Sequence, residues 1–208
     1  MLCIPKKNNK LCTIIDVWKQ NKNMIRDVTS FPNQEKTQMD VAWGWYQSKI
    51  NMSDTYEHIQ VKPDDVWKTV FSNVFGTFLS LTMQQGDCNA PATFQWLMTM
   101  TFHKYIGKFM HIYLDNIFIY SDSIKEHKKY LGLMYTKLYK AELYLVLEKL
   151  NLFLKWVNCL SHLINDQGTH VDSDKMARIH KWRTPRNKHN MQCFLGLVNY
   201  IAHFMPDI

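Results

Sequence analysis

The chain has 208 residues and a mass of 24.8 kDa, enough for one sizeable core or for a core with a smaller appended subdomain, and its 46% hydrophobic and 21% charged residues exclude a disordered chain. A formal net charge of +7 points to a polyanionic partner, although excess Lys also serves solubility. Five cysteines, an odd number with no Cys-x-x-Cys pair, argue against a disulfide framework or zinc site, and with no signal-like or membrane-length apolar segment the chain is expected to be soluble and intracellular, without a membrane partner.

From the N-terminus, Leu2 to Ile15 reads as a hairpin with a polar turn at Asn8 and Asn9, and Lys6, Lys7 and Lys10 near its tip. Phe31-Pro32 opens a helical stretch expected to run to about Tyr46. A strand from Ser48 then leads into Asn51-Met52-Ser53-Asp54-Thr55-Tyr56. Asn51-Met52-Ser53 has the spacing of a glycosylation acceptor, which an intracellular chain does not use. Val61 to Phe71 reads as a turn at Pro63 followed by a strand, and Phe75 to Leu79 as a second strand. Gly86 supplies a permissive backbone. Pro91 suits the first turn of a helix whose apolar face is Phe94, Leu97, Met98, Phe102 and Tyr105.

Met110 to Tyr120 is two β-rich runs separated by Asp115-Asn116, a pair that tolerates the left-handed backbone of a tight turn and is by itself an ordinary turn dipeptide. Ser123 to Glu126 is a capping box, followed by a helical stripe of Ile124, Leu131, Met134, Tyr135 and Leu138 that ends near Lys140. Leu143 to Leu147 and Val157 to Ile164 read as strands, with a turn at Gln167-Gly168. Two helices close the chain, Ser173 to Trp182 and about Asn190 to Phe204, the second with Met191, Phe194, Leu195, Val198 and Ala202 on one face. His162, His180 and His203 are too dispersed to suggest a metal cluster.

Tyr113-Leu114-Asp115-Asn116 resembles the Tyr-x-Asp-Asp hairpin of reverse transcriptases, in the Tyr-Leu-Asp-Asp form of gypsy-type long-terminal-repeat retrotransposons. Three further blocks resemble the same family in collinear order: Pro5-Lys6-Lys7, the Gln85-Gly86 loop with Ala90-Pro91-Ala92-Thr93-Phe94-Gln95, and Phe194-Leu195-Gly196-Leu197. Cys159-Leu160-Ser161-His162 is similar to the family's primer-grip hairpin, with Ser in place of Gly. The resemblance implies an α+β right-hand polymerase fold: fingers over 1–48 and 61–82, palm over 49–60 and 83–156, and primer grip, thumb and start of the connection over 157–208. Both ends are expected to be truncated, Met1 falling inside the fingers and Ile208 before any ribonuclease H or integrase domain.

The resemblance also implies roles. Asp115, with partners at positions 51 and 116, would hold two magnesium ions; Lys6, Lys7, Asp54, Tyr56, Gln85 and Gly86 would line the deoxynucleoside triphosphate; the partner would be an RNA or DNA primer-template. Tyr56 would be the steric gate against a ribose 2′-hydroxyl. The departures are as informative. Asn51 and Asn116 stand where the family has Asp, so two of three metal carboxylates are missing, and Cys12 and Trp18 stand where it has basic residues. Each change is reachable by one cytosine-to-thymine transition, and only Arg26, Arg178, Arg183 and Arg186 remain as Arg, which suggests decay by cytosine deamination. The degenerate active site is expected to be inactive. Three functions remain open: an active RNA-directed DNA polymerase, a non-catalytic nucleic-acid-binding module, and a remnant without function.

Overall fold

A four-stranded antiparallel sheet organises the chain, with the strands 110–113, 116–121, 46–51 and 151–154 side by side in that order. The computed structural model describes residues 2–5, 11–160, 162–165, 168–171, 176–177 and 181–202. Its sheet is built from β3 (Tyr46–Asn51), β6 (Met110–Tyr113), β7 (Asn116–Ser121) and β8 (Asn151–Leu154). Strand side chains alternate between faces. Ile117 and Ile119 therefore point to one side of β7, where they meet Ile50, Ile112 and the helices α3 (Ala90–Phe102) and α4 (Ile124–Lys140). Phe94, Met98 and Phe102 of α3 and Leu131, Met134 and Leu138 of α4 fill that core. Each fully buried Ile or Phe is worth about 1.5–3 kcal/mol, and this face holds the larger of the two buried apolar clusters. On the opposite face Phe118 packs with Val41 of α2 (Gln34–Ala42) and with Val157 and Ile164 of a second sheet, β9 (Trp156–Cys159), β10 (His162–Asn165) and β11 (Gly168–Val171). The architecture is α+β.

The helix ends follow capping chemistry. Asn33 accepts from the Lys36 N–H to start α2, and Ser123 accepts from the Glu126 N–H to start α4, as the capping box predicts. Ile124 of the expected α4 stripe is half exposed, at 46%. The last helix, α5 (Lys188–Ile201), begins earlier than expected because Asn187 accepts from the Asn190 N–H. Phe204 lies outside the described residues, and within α5 Met191 and Leu195 are exposed rather than packed.

Several expectations need correction. The stretch from Phe31 does not stay helical to Tyr46: α2 stops at Ala42, and Gly44 turns the chain into β3 so close to β7 that an added Cβ would lie 2.8 Å from Tyr120 Cβ. Val61 to Phe71 is no strand. Residues Pro63–Thr69 form a 3-10 helix, started by Pro63 and Asp64-Asp65 in its first turn and tied by a 2.6 Å Lys68–Asp65 ion pair. Beyond it β4 (Phe71–Asn73) and β5 (Gly76–Phe78) form a separate hairpin. Leu143 to Leu147 contributes only an isolated bridge from Leu145 to Met52; the β3 neighbour is β8. The run from Val157 to Ile164 is two paired strands, β9 and β10, broken at Leu160, whose φ is +50°.

At the N-terminus β1 (Leu2–Pro5) and β2 (Leu11–Ile14) pair antiparallel as expected, and α1 (Trp18–Asn23) follows. The turn with Lys6, Lys7, Asn8, Asn9 and Lys10 lies outside the described residues, as do Ser161, Gln167, His180, His203 and most of the helix expected from Ser173 to Trp182. Among the described side chains Cys88, Cys159 and Cys193 are free thiols. Among the described residues no helix is long and apolar enough to cross a membrane.

Candidate active site

The antiparallel register of β3 and β7 sets Asn51 directly opposite Asn116 at the open end of the sheet. The hairpin tip is one residue earlier than expected: Tyr113 pairs with Asn116, so the two turn residues are Leu114 and Asp115, and Asn116 is the first residue of β7. Leu114 carries a φ of +52°, a left-handed conformation that a side chain resists by roughly 1–2 kcal/mol. Gln95 of α3 holds it there. Its Oε1 accepts from the Leu114 N–H at 2.8 Å and its Nε2 donates to the Ile112 carbonyl at 3.3 Å, so one buried amide fixes the β6 arm and the first turn residue. The Met52 N–H donates to the Asp115 carbonyl at 2.8 Å, which ties the tip to the end of β3.

The side chains at this end form a relay. Asn51 Nδ2 donates to Asn116 Oδ1 at 2.9 Å, and Asn116 Nδ2 donates to Asp115 Oδ1 at 2.8 Å. An ionised carboxylate only accepts, so Asn116 must turn its NH₂ toward Asp115, which leaves its carbonyl for Asn51. Tyr56 stands beside this group, half-buried and edge-on to Phe94 with ring centroids 6.2 Å apart. Burial, and then the charge of Asp115, push its phenol above the ordinary range. Lys49, on the same strand as Asn51, is pulled below its ordinary value by burial, against the opposing pull of Cys159 and Asp115. Asp54 lies in the turn after β3 with a φ of +44° and accepts from the Glu57 N–H through its carbonyl.

The other expected residues are placed differently. Gly86, with a φ of +118°, packs against Val17, and its carbonyl accepts from Asn21 Nδ2 at 2.9 Å, so the Gln85-Gly86 loop is moored on α1. Gln85 is exposed. The structure thus gathers Asn51, Asp115, Asn116 and Tyr56, sets Asp54 in the adjoining turn, and ties the Gln85-Gly86 loop to α1. Lys6 and Lys7 lie outside the described residues.

Three supports escaped the sequence reading. Gln95 has a readable signal, a Gln amid the buried positions Phe94 and Met98, since a buried amide has to find partners. Gln34 Nε2 donates to the Tyr113 hydroxyl at 2.8 Å, and His111 Nε2 meets Asp40 Oδ2 at 2.7 Å, joining α2 to β6. These pairs are about 70 to 80 residues apart, and spacing gives no hint of them.

The donor set decides which metals the relay suits. Two closely spaced divalent cations need several anionic oxygens around them. Here Asp115 brings one carboxylate, Asn116 directs an NH₂ at it, and the Asn116 carbonyl already accepts from Asn51. These residues do not fit a pair of hard divalent ions. Among the described residues no cluster of three His, Cys, Asp or Glu side chains offers an alternative.

Comparison with known proteins fits the hairpin and the sheet around it. Residues 3–197 match the family model described as "Reverse transcriptase (RNA-dependent DNA polymerase)". The retrovirus-related Pol polyprotein from transposon 297 of Drosophila melanogaster is 32% identical over 209 residues, covering 98% of this chain and 20% of that protein. The transposon Tf2-7 polyprotein of Schizosaccharomyces pombe is 27% identical over 206 residues, covering 99% and 16%. The chain therefore spans a fifth or less of these relatives. In fold it is similar to the foamy viral protease-reverse transcriptase solved with double-stranded DNA, at a TM-score of 0.90 and 23% identity over 99% of this chain and 36% of that one. The same viral enzyme solved with an RNA/DNA hybrid gives 0.80, at 23% identity over 96% of this chain and 27% of that one. The polyproteins it resembles are those of retrotransposons, and with the family model covering nearly all of its length, the chain belongs to the reverse transcriptase family.

Proposed function

We propose that this domain keeps the nucleic-acid-binding role of a reverse transcriptase and has lost nucleotide addition. The carrying observation is the amide relay from Asn51 through Asn116 to Asp115, which meets the hydrogen-bonding needs of the site without metal. If each lost carboxylate removes about 3 kcal/mol of metal and transition-state stabilisation, the pair costs roughly four powers of ten in rate. Magnesium is the ion the ancestral site would have used, at positions 51, 115 and 116.

The remaining assignments belong to the same reading. Fingers span 1–48 and 61–82, palm 49–60 and 83–156, and primer grip, thumb and start of the connection 157–208. Lys6, Lys7, Asp54, Tyr56, Gln85 and Gly86 line the place of the deoxynucleoside triphosphate. A net charge of +7 supports an RNA or DNA primer-template as partner, and the viral structures of similar fold hold such duplexes. The test pairs two readouts on one labelled RNA-templated primer: gel-shift titration for binding, and extension with all four deoxynucleotides and magnesium. Binding without extension is expected. Absence of binding at low salt leaves only a remnant without function, and extension overturns the loss of chemistry.

A further inference from the structure

Between α1, the 3-10 helix Pro63–Thr69 and the loop before α3 lies a cavity of about 790 Å³, a size that encloses small organic molecules. None of Asn51, Tyr56, Asp115 and Asn116 lines it, so it is separate from the hairpin site. Hydrogen bonds hold its frame. Gln20 Nε2 donates to the Lys68 and Val70 carbonyls at 3.1 and 3.3 Å, joining α1 to the 3-10 helix, and the Met83 N–H donates to the Ile59 carbonyl at 2.8 Å. Met24, Val61, Val70 and Met83 supply apolar walls, and Trp67 adds an exposed indole. Thioethers and an indole favour a flat aromatic guest over a branched aliphatic one.

Charge in the lining is matched at every residue but one. Lys62 pairs with Asp64 at 3.4 Å, and Lys68 pairs with Asp65 at 2.6 Å. Asp87 is half-buried, its Oδ2 accepts from the Gln84 N–H at 3.2 Å, and among the described residues no cation pairs with it. Burial holds its carboxyl above the ordinary range, the sign of a charge short of partners. We propose that this cavity binds a monocationic aryl-alkyl amine, with the ammonium on Asp87 and the ring against Trp67, Met24 and Met83. A protonated amine brings the charge and the donors that Asp87 lacks. Other ligands fit less well. A phosphate or nucleotide would meet an unpaired carboxylate, a polyamine needs several anions where the cavity has one to spare, and a divalent metal needs more oxygen ligands than Asp87 provides.

Tryptamine, a cation at neutral pH, is the probe, with indole-3-ethanol as its neutral counterpart and indole-3-propionate as its anionic one. Each is titrated into the full ¹⁵N-labelled chain and followed by NMR. Tryptamine should bind saturably, shift the Trp67 indole and Asp87 amide signals, leave the Asn51 and Asp115 amides in place, and bind at least about tenfold tighter than either counterpart. Asp87→Asn keeps the side-chain shape and an acceptor for the Gln84 N–H, and should weaken tryptamine about tenfold while leaving indole-3-ethanol unchanged. Should that variant not fold, the ranking of the three probes on wild type decides. Four outcomes overturn the proposal: no saturable shift at Trp67 and Asp87, either counterpart binding as tightly as tryptamine, an Asp87→Asn variant that keeps the preference for the cation, or shifts centred on Asn51 and Asp115, which would place the amine at the hairpin instead.

Discussion

Asn51 and Asn116 face each other across β3 and β7, and the Asn51 amide donates a 2.9 Å hydrogen bond to the Asn116 carbonyl. Two carboxylates at those positions, beside Asp115, would repel unless a cation lay between them. With two amides the three side chains hold one another through hydrogen bonds, and the end of the sheet closes without an ion.

Restoring both carboxylates should therefore weaken the metal-free fold and create magnesium dependence. The Asn51→Asp/Asn116→Asp variant loses two donors and gains two like charges next to Asp115, a cost of about 2–4 kcal/mol. Thermal melts in chelator should show a clear drop that magnesium reverses, while wild type responds little. Repulsion raises the carboxyl pKa values in the folded state, so this loss should grow as pH rises above the ordinary carboxylate range and vanish below it. Asn51→Asp alone should gain more magnesium affinity than Asn116→Asp, because the upstream position bridges both ions in the family, and calorimetric titration of each single variant checks the ranking.

Gln95→Ala should destabilise the hairpin tip selectively. It strips the Leu114 N–H of its acceptor and the Ile112 carbonyl of a donor while Leu114 stays left-handed. A loss of about 2–3 kcal/mol is expected in denaturant unfolding, with faster amide exchange at Leu114 and Asp115 but not in α4.

A pH dependence comes from His127, which is fully buried between Ser48 Oγ at 2.6 Å and Ser121 Oγ at 2.7 Å. Ser121 donates its proton to the Ser123 carbonyl, so His127 Nδ1–H donates to Ser121 and Nε2 accepts from Ser48. Burial pushes its pKa down to about 4. The unfolded chain then binds the proton more tightly than the folded one. Stability should be full above the unfolded value of about 6.5 and fall as pH drops toward 4, by no more than ~3 kcal/mol. His127→Gln should be less stable at neutral pH and show a flatter fall between pH 6.5 and 4 in melting experiments.

Nucleic-acid binding should be electrostatic, insensitive to sequence and steeply salt-dependent. Log affinity should fall with log salt at about 0.7–0.9 per phosphate neutralised. Replacing Lys6 and Lys7 together by Ala should lower affinity and flatten that slope by about one to two units, whereas Asn116→Ala should do neither. Gel-shift titrations at several salt concentrations measure both.

Local chemistry made much of this fold legible. The Ser123 capping box, Pro91 in the first turn of α3 and the β-rich arms around Asp115 all act within a few residues, and their elements formed as expected. What was missed depends on distant partners. The strand expected at Leu143 to Leu147 gives way to β8 because the edge of β3 pairs there, and Phe31 to Tyr46 breaks at Gly44 because β7 passes beneath. The hairpin turns one residue before the Asp115-Asn116 pair because Leu114 takes the left-handed position that Asn116 suits better, an exchange enforced by Gln95 of α3. At the site, the identities of Asn51, Asp115 and Asn116 could be read from the sequence. Their amide relay could not, since it needs the β3–β7 register.

The most direct test of the account is primer extension on an RNA template with magnesium, run beside the same assay on Asp115→Ala. The prediction is no template-dependent product above a blank from either protein, and manganese should not restore it fully. Extension by wild type well above the blank, abolished by Asp115→Ala, would contradict it.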